Sequence, residues 1–304
     1  MQKLSMLKSM EVGDNEYFKV KNWVDTFMRI PFGIYRNLSI SMDSGIDACH
    51  EYMENAMETL DNCVYGLNDA KMQILQMVGQ WISNPSAMGT AIAIKGPMGT
   101  GKTTLVKEGI SKILGREFAF IALGGTGDSS FLEGHGYTYE GSTWGKIVQI
   151  LIDSKCMNPV IYFDELDKVS ETDNGKDIFS FLCYLTDPTQ NNNFSDHYFY
   201  GMHFDLSKVF YIFTFNDINK IDKILLDRLN IINVEMPKEQ DIVYIIEKHC
   251  IPEIISNIGI KIPVIFDISS IMHIIHSTTI NKSVTSGIRE YYRIIEKILL
   301  ELNK

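Results

Sequence analysis

The apolar positions of this chain fall into three successive rhythms. Residues 1 to about 60 place apolar side chains at helical intervals, with a break at Pro31-Phe32-Gly33, where proline and glycine interrupt the pattern. From about residue 61 the rhythm changes to short apolar runs separated by helix-length segments. AIAIKG (91–96), FAFIAL (118–123), PVIYFD (159–164), VFYIFTF (209–215) and IINVEM (231–236) are rich in β-branched or aromatic residues and have the length of buried strands. TTLVKEGISKILG (103–115) predicts one of the helices between them. Strands alternating with helices predict the α/β class, with a parallel five-stranded sheet covered on both faces.

After Pro237 the strands stop. EQDIVYIIEKHCIPEII, DISSIMHIIHST and SGIREYYRIIEKILLELNK all read as helices. In the last of them Ile288, Tyr291, Ile295, Ile298 and Leu302 share one predicted face. The expected organisation is therefore an N-terminal helical segment or linker (1–60), an α/β domain (61–237) and a small all-helical lid (238–304). No internal repeat or low-complexity tract is visible.

Composition narrows the classes. The 304 residues suffice for two domains with a substantial core. Hydrophobic residues make up 45% and charged residues 22%, an ordinary globular balance. The 28 Lys+Arg against 38 Asp+Glu leave a net charge of −10, which argues against nucleic acid as a bulk partner. Five scattered cysteines with no C-x-x-C pair predict reduced thiols and a cytoplasmic location. No run reaches about 18 apolar residues, so no membrane helix is expected, and the start lacks the features of a signal or transit peptide.

The chemistry concentrates at two places. Gly96-Pro97-Met98-Gly99-Thr100-Gly101-Lys102-Thr103 fits G-x-x-x-x-G-K-[ST], directly after an apolar strand and directly before a helix. Glycines let such a loop turn successive backbone N–H groups toward phosphate oxygens, and the helix N-terminus adds positive potential. Lys102 would bridge the β- and γ-phosphates of ATP, the Thr103 hydroxyl would ligate Mg²⁺, and Thr104 would complete the nucleotide-binding stretch. The second place is Val160-Ile-Tyr-Phe-Asp164-Glu165, an apolar strand that ends in two acids. Asp164 at a strand end beside the phosphate loop would hold the Mg²⁺ ion, and Glu165 would act as general base on the attacking water.

These elements sit within a longer resemblance. LDNCVYGLNDAK, GPMGTGKTTLVK, FIALGGTGDSSFLEGHGYTYEGSTWGKI, NPVIYFDELDKV, TDPTQNNNFSDHYF, FDLSKVFYIFTFN, LLDRLN and SGIREYYR occur in the order and spacing of the AAA+ ATPase module of Lon-type proteases. The segment KNWVDTFMRIPFG is also similar to the stretch that precedes that module. The resemblance runs from about residue 20 to the end of the chain. It implies the P-loop AAA+ fold and several roles. Asn216 would orient the attacking water, Arg228 would reach the γ-phosphate of a neighbouring subunit, and Arg289 would be carried onto the nucleotide by the lid. Tyr65 and Gly66 would contact adenine. Tyr139 would line the central pore and grip a polypeptide substrate, although Glu140 stands where the family usually has an aliphatic residue. An arginine acting on a neighbour requires a closed homo-oligomeric ring, expected to be a hexamer.

Other signals carry less. Gly124-Gly125-Thr126-Gly127 lacks a following G-K-[ST] and reads as a turn, and His273 with His276 lacks the partners of a metal set. Asn84-Pro85-Ser86-Ala87-Met88-Gly89 reads as a linker. The Lon peptidase domain follows the lid, so peptide hydrolysis is not expected of these residues. The leading expectation is an ATP-driven polypeptide motor in protein quality control. The alternatives are the ATPase part of a protease whose peptidase lies on a continuing polypeptide or a separate partner, and a nucleotide-dependent assembly scaffold. Glu165 favours hydrolysis over a scaffold, which has no need of a general base.

Overall fold

The computed structural model describes residues 2–11, 15–85, 91–138, 141–169, 173–260, 264–281 and 287–302. Strands form where the apolar runs lie: β1 (Ala91–Lys95), β2 (Phe118–Ala122), β3 (Val160–Asp164), β4 (Phe210–Phe215) and β5 (Asn230–Asn233). They build one sheet in the order β2-β3-β4-β1-β5, with every pairing parallel. β1 lies between β4 and β5, and β3 between β2 and β4. The helices that matter for the site are α1 (Gln2–Ser9), α2 (Asn15–Phe27), α3 (Ile46–Cys63), α4 (Asn68–Ser83), α5 over 102–114, α6 (Lys146–Ser154) and α7 (Asp173–Thr186). Beyond β5 come α8 over 239–258, α9 (Ile268–Asn281) and α10 (Ile288–Leu302).

Because strand side chains alternate, each strand feeds two cores. Ala93, Ile161, Phe163, Tyr211 and Phe213 pack with Trp23 and Val24 of α2, Ile147 and Leu151 of α6, and Ile178 and Leu182 of α7. The intervening residues Ile92, Ile94, Val160, Tyr162, Phe210 and Ile212 pack with Leu60 of α3, Ile74 and Val78 of α4, and Leu105 and Ile110 of α5. Phe163 and Phe213 are fully buried and stacked at 4.9 Å, each side chain contributing about 2–3 kcal/mol of apolar burial. The segment after α2 is tied to the start of β3. Asn158 accepts from the Arg36 N–H at 2.8 Å and donates to the Arg36 carbonyl at 2.9 Å, and Met157 N–H donates to Ile34 at 2.7 Å.

Three details differ from expectation. β5 ends at Asn233 rather than 236, although Val234 N–H still donates to Lys95 at 2.7 Å. The helix after the phosphate loop contains a π-helical stretch, Leu105–Ile110, where Gly109 meets α3: a Cβ there would stand 2.9 Å from Leu60 and 3.1 Å from the Cys63 sulfur. In α10 the buried stripe is Tyr291, Ile295 and Leu299, whereas Ile298 and Leu302 are exposed at 36% and 70%. Packing against Ile251–Ile258 and α9 rotates the buried line onto a strict spacing of four. This C-terminal core, with Ile246, Ile254, Ile271 and Ile275, is an apolar cluster of its own. Among the described residues no helix is long and apolar enough to cross a membrane.

Candidate functional site

The phosphate loop is anchored at both ends. Gly96 N–H donates to the Phe215 carbonyl at 3.2 Å, and a Cβ at Gly96 would stand only 2.4 Å from the Val234 carbonyl oxygen, so the strand exit requires glycine. Gly99 and Gly101 adopt φ of 77° and 86°, left-handed values that turn the loop back on itself. Thr100 donates its hydroxyl to Pro97 O at 3.0 Å, and Leu105 N–H donates to Gly101 O at 2.9 Å, opening α5. The Lys102 ammonium donates to the carbonyls of Gly96 and Pro97, the latter at 2.8 Å, and to Asn216 Oδ1 at 3.3 Å. Asn216 directly follows β4, so the sheet order brings it beside the loop.

The acid pair stands two strands away, at the end of β3. Asp164 Oδ1 accepts from the Thr214 hydroxyl, from Glu165 N–H at 3.1 Å and from the Tyr162 hydroxyl at 3.4 Å. Tyr162 Oη lies 3.0 Å from Thr103 Oγ1. Burial pushes the Tyr162 phenol up to about 12, so it stays protonated at neutral pH. Glu165 has φ 57° and ψ 46°, an uncommon conformation for a side-chain-bearing residue and one that clusters at functional sites. Its carboxylate lies against Gly124, where a Cβ would come within 2.7 Å of Oε2. The Gly124–Gly127 stretch does form a turn, with Thr126 N–H donating to Leu123 O at 3.1 Å, and Gly124 also makes room for Glu165.

The lid closes the opposite side. A cleft of about 540 Å³ is lined from the sheet side by 98–104 and by Asp164, Glu165, Thr214 and Asn216. From the lid side it is lined by Arg289, Arg293 and Glu253, among others. Gly287, just before α10, meets the loop backbone to backbone: a Cβ there would stand 2.5 Å from Met98 O and 3.2 Å from Gly99 Cα. Burial pushes the Lys102 ammonium below its ordinary value, Asp164 and Asp167 pull it back up, and Arg289 adds to the downward push.

The remaining candidates lie outside this cleft. Val64 packs on the loop, its Cγ2 2.6 Å from where a Gly101 Cβ would be, which sets Tyr65 and Gly66 beside the site. The Tyr65 ring faces Tyr244 of α8 at 4.6 Å, and its hydroxyl donates to Asp241 at 3.2 Å. Arg228 pairs with Asp187 at 2.8 Å and lines no part of the cleft of its own chain. Hydrogen bonds from Thr189 and the Arg228 guanidinium hold the Asp187 carboxyl well below the usual range. Tyr139 and Glu140 lie outside the described residues, as do Ser86–Gly89 of the linker reading. The base of the Tyr139 segment is described: His135 N–H donates to Thr143 O at 3.0 Å, and buried Asp196 accepts from Gly145 N–H at 2.8 Å.

Sequence reasoning missed Tyr162, Thr214, Gly124, Gly287 and Arg293. A signal existed for two of them. Tyr162 is the polar-tipped member of an otherwise apolar strand, and Arg293 follows Arg289 by one helical turn.

A glycine-rich loop between a central parallel strand and a helix, an acid pair two strands away and a helical lid together define a P-loop ATPase. Residues 92–236 match the family described as the ATPase family associated with various cellular activities (AAA). The chain is also similar to a Lon protease homolog of Acanthamoeba polyphaga mimivirus, 35% identical over 301 residues, which covers 97% of this chain and 29% of the relative. A mitochondrial Lon protease homolog of Dictyostelium discoideum is 34% identical over 96% of the chain and 29% of its own length. The Lon protease of Fusobacterium nucleatum is 34% identical over 84% of the chain and 32% of its own length. The chain thus spans about a third of the curated relatives it matches. The chain carries an AAA ATPase domain and is similar over nearly its whole length to the corresponding third of Lon proteases, with the five-stranded parallel sheet and helical C-terminal part expected of the AAA+ fold.

Proposed function

We propose that this module hydrolyses ATP at the cleft between the sheet and the lid, with Glu165 as general base, and couples turnover to movement of a polypeptide. One observation carries the reading: Lys102, Thr103, Asp164, Glu165, Asn216 and Arg289 come from four separated segments and line one cleft. Lys102 and the loop N–H groups would bind the phosphates, Asn216 would orient water, and Glu165 would accept its proton. Thr103 and Asp164 offer hard oxygen donors on neighbouring elements, a set that fits magnesium. When bound there, the ion would supply charge neutralisation on the phosphate oxygens.

Arg228, standing outside its own cleft, would serve the nucleotide of the next subunit in a homo-oligomeric ring, which we take to be a hexamer. Tyr65 and Gly66 would flank the adenine, and Tyr139 would face the ring's pore. Five free cysteines support a reducing, cytoplasmic setting. A second reading rests on the chain's share of its relatives: it would be the ATPase part of an assembly that also contains a peptidase.

Glu165→Gln tests the core of the proposal. The amide keeps the shape of the side chain but cannot take a proton, so ATP binding should persist while turnover falls by about 10²–10⁴. Turnover at the wild-type rate would remove Glu165 as the base.

A further inference from the structure

Tyr162 does not need its hydroxyl for packing. The ring is fully buried, 5.6 Å from Phe118 and 5.7 Å from Phe120, and a phenylalanine would fill the same space. A buried hydroxyl is costly unless it is bonded, so its partners matter. Those partners include Thr103 at 3.0 Å and Asp164 at 3.4 Å, the two side chains read above as the magnesium donors, with Thr214, itself a donor to Asp164, beside them. Strand alternation puts Tyr162 and Asp164 on the same face of the sheet, the face that α5 and Thr103 cover.

The direction of the bonds follows from valence. A carboxylate only accepts, so the phenolic proton points to Asp164 Oδ1. The Tyr162 oxygen then accepts the proton of Thr103. That turns the Thr103 hydroxyl proton toward the sheet and leaves the oxygen's lone pairs for a cation. The described bonds to Asp164 from Tyr162, Thr214 and Glu165 all fall on Oδ1, which leaves Oδ2 as its metal-facing oxygen.

We propose that Tyr162 is a positioning residue for the divalent cation, orienting Thr103 and Asp164 through a hydroxyl–phenol–carboxylate chain. The proposal rests on the reading of the cleft as a magnesium–nucleotide site. It acts on metal affinity and not on the phosphates, which are handled by the loop and Lys102. Partners that orient metal ligands are worth about 10–100-fold in affinity when removed.

The test uses the whole 304-residue chain and a fluorescent ADP. In Tyr162→Phe the magnesium concentration that half-saturates the tightening of ADP binding should rise about tenfold. ADP affinity measured in EDTA should stay at the wild-type value. An unchanged magnesium half-saturation in the folded variant would overturn the proposal. Tyr211→Phe is the control, because Tyr211 is a buried tyrosine on β4 whose hydroxyl has no partner among the described residues. An equal shift in that variant would mark a generic packing effect and also overturn it. Should Tyr162→Phe not fold, difluorotyrosine at position 162 keeps the hydroxyl but alters its donor strength. It must then move the magnesium half-saturation, and no movement refutes the proposal. A wild-type chain whose ADP binding ignores magnesium would instead overturn the reading of the cleft itself.

Discussion

The sheet wall and the lid wall of the cleft hold their chemistry in different ways. On the sheet side, side chains are fixed by other side chains and carbonyls: Lys102 by Gly96, Pro97 and Asn216, and Asp164 by Thr214, Tyr162 and the Glu165 N–H. The elements that carry them are the central strands, buried on both faces by two apolar cores. On the lid side, α10 belongs to a third core and approaches the loop by backbone, Gly287 against Met98 and Gly99. One wall is preorganised by hydrogen bonds, and the other is a separately packed unit that meets the first at Gly287 against the loop and at Tyr244 and Asp241 against Tyr65. If this unit acts as a nucleotide-responsive lid, its separate core would let it move without breaking the core of the first.

The comparison breaks most visibly on the sheet side. Lys102→Ala should abolish measurable ATP binding by calorimetry, because the phosphate charge loses its main side-chain partner. Binding that survives unchanged would deny the loop its phosphate role. Arg228 stands on neither wall and should come next in size. Arg228→Ala is expected to lower kcat by about 10³ or more if it acts as an arginine finger. Mixing it with Lys102→Ala subunits should restore part of the activity, since each protomer then supplies what its neighbour lacks. The Arg228–Asp187 pair at 2.8 Å is the contact the finger would exchange within a ring. No rescue at any mixing ratio would place Arg228 in cis.

The sheet wall was legible in the sequence and the lid wall much less so. Short β-branched runs, a glycine loop and a strand-ending acid pair are local patterns, and local patterns survive in a one-dimensional reading. The period of two even sorts Tyr162 with Asp164 and Thr214, yet the meaning of that phenol needs the packing of α5 over β3. Contacts between distant segments leave no such trace. Gly124 against Glu165, Gly287 against Gly99 and Arg228 against Asp187 each join residues tens to hundreds of positions apart. The C-terminal end of the α10 stripe differs for the same reason: Ile288, Tyr291 and Ile295 belong to the lid core as expected, and the neighbouring helices bury Leu299 in place of Ile298 and Leu302.

The smallest predicted effect is the one that tests the lid wall. At Gly287 an added methyl would stand 2.5 Å from the Met98 carbonyl oxygen and 3.2 Å from Gly99 Cα, and both neighbours are backbone that cannot swing aside. Gly287→Ala should therefore push the start of α10 away from the loop and carry Arg289, two residues on, with it. The fold should keep its melting temperature, because Tyr291, Ile295 and Leu299 still pack within the lid core. A displacement of about 1 Å at a positioned group costs up to about a hundredfold, so kcat/KM for ATP should fall about ten- to a hundredfold. If the loss comes through Arg289, then Arg289→Ala alone should cost as much, and the double variant should be no worse than either single. Losses that simply add would mean the glycine contact shapes the phosphate loop directly and Arg289 works on its own. A wild-type kcat/KM in Gly287→Ala would show that the lid yields at no cost and that the contact positions nothing.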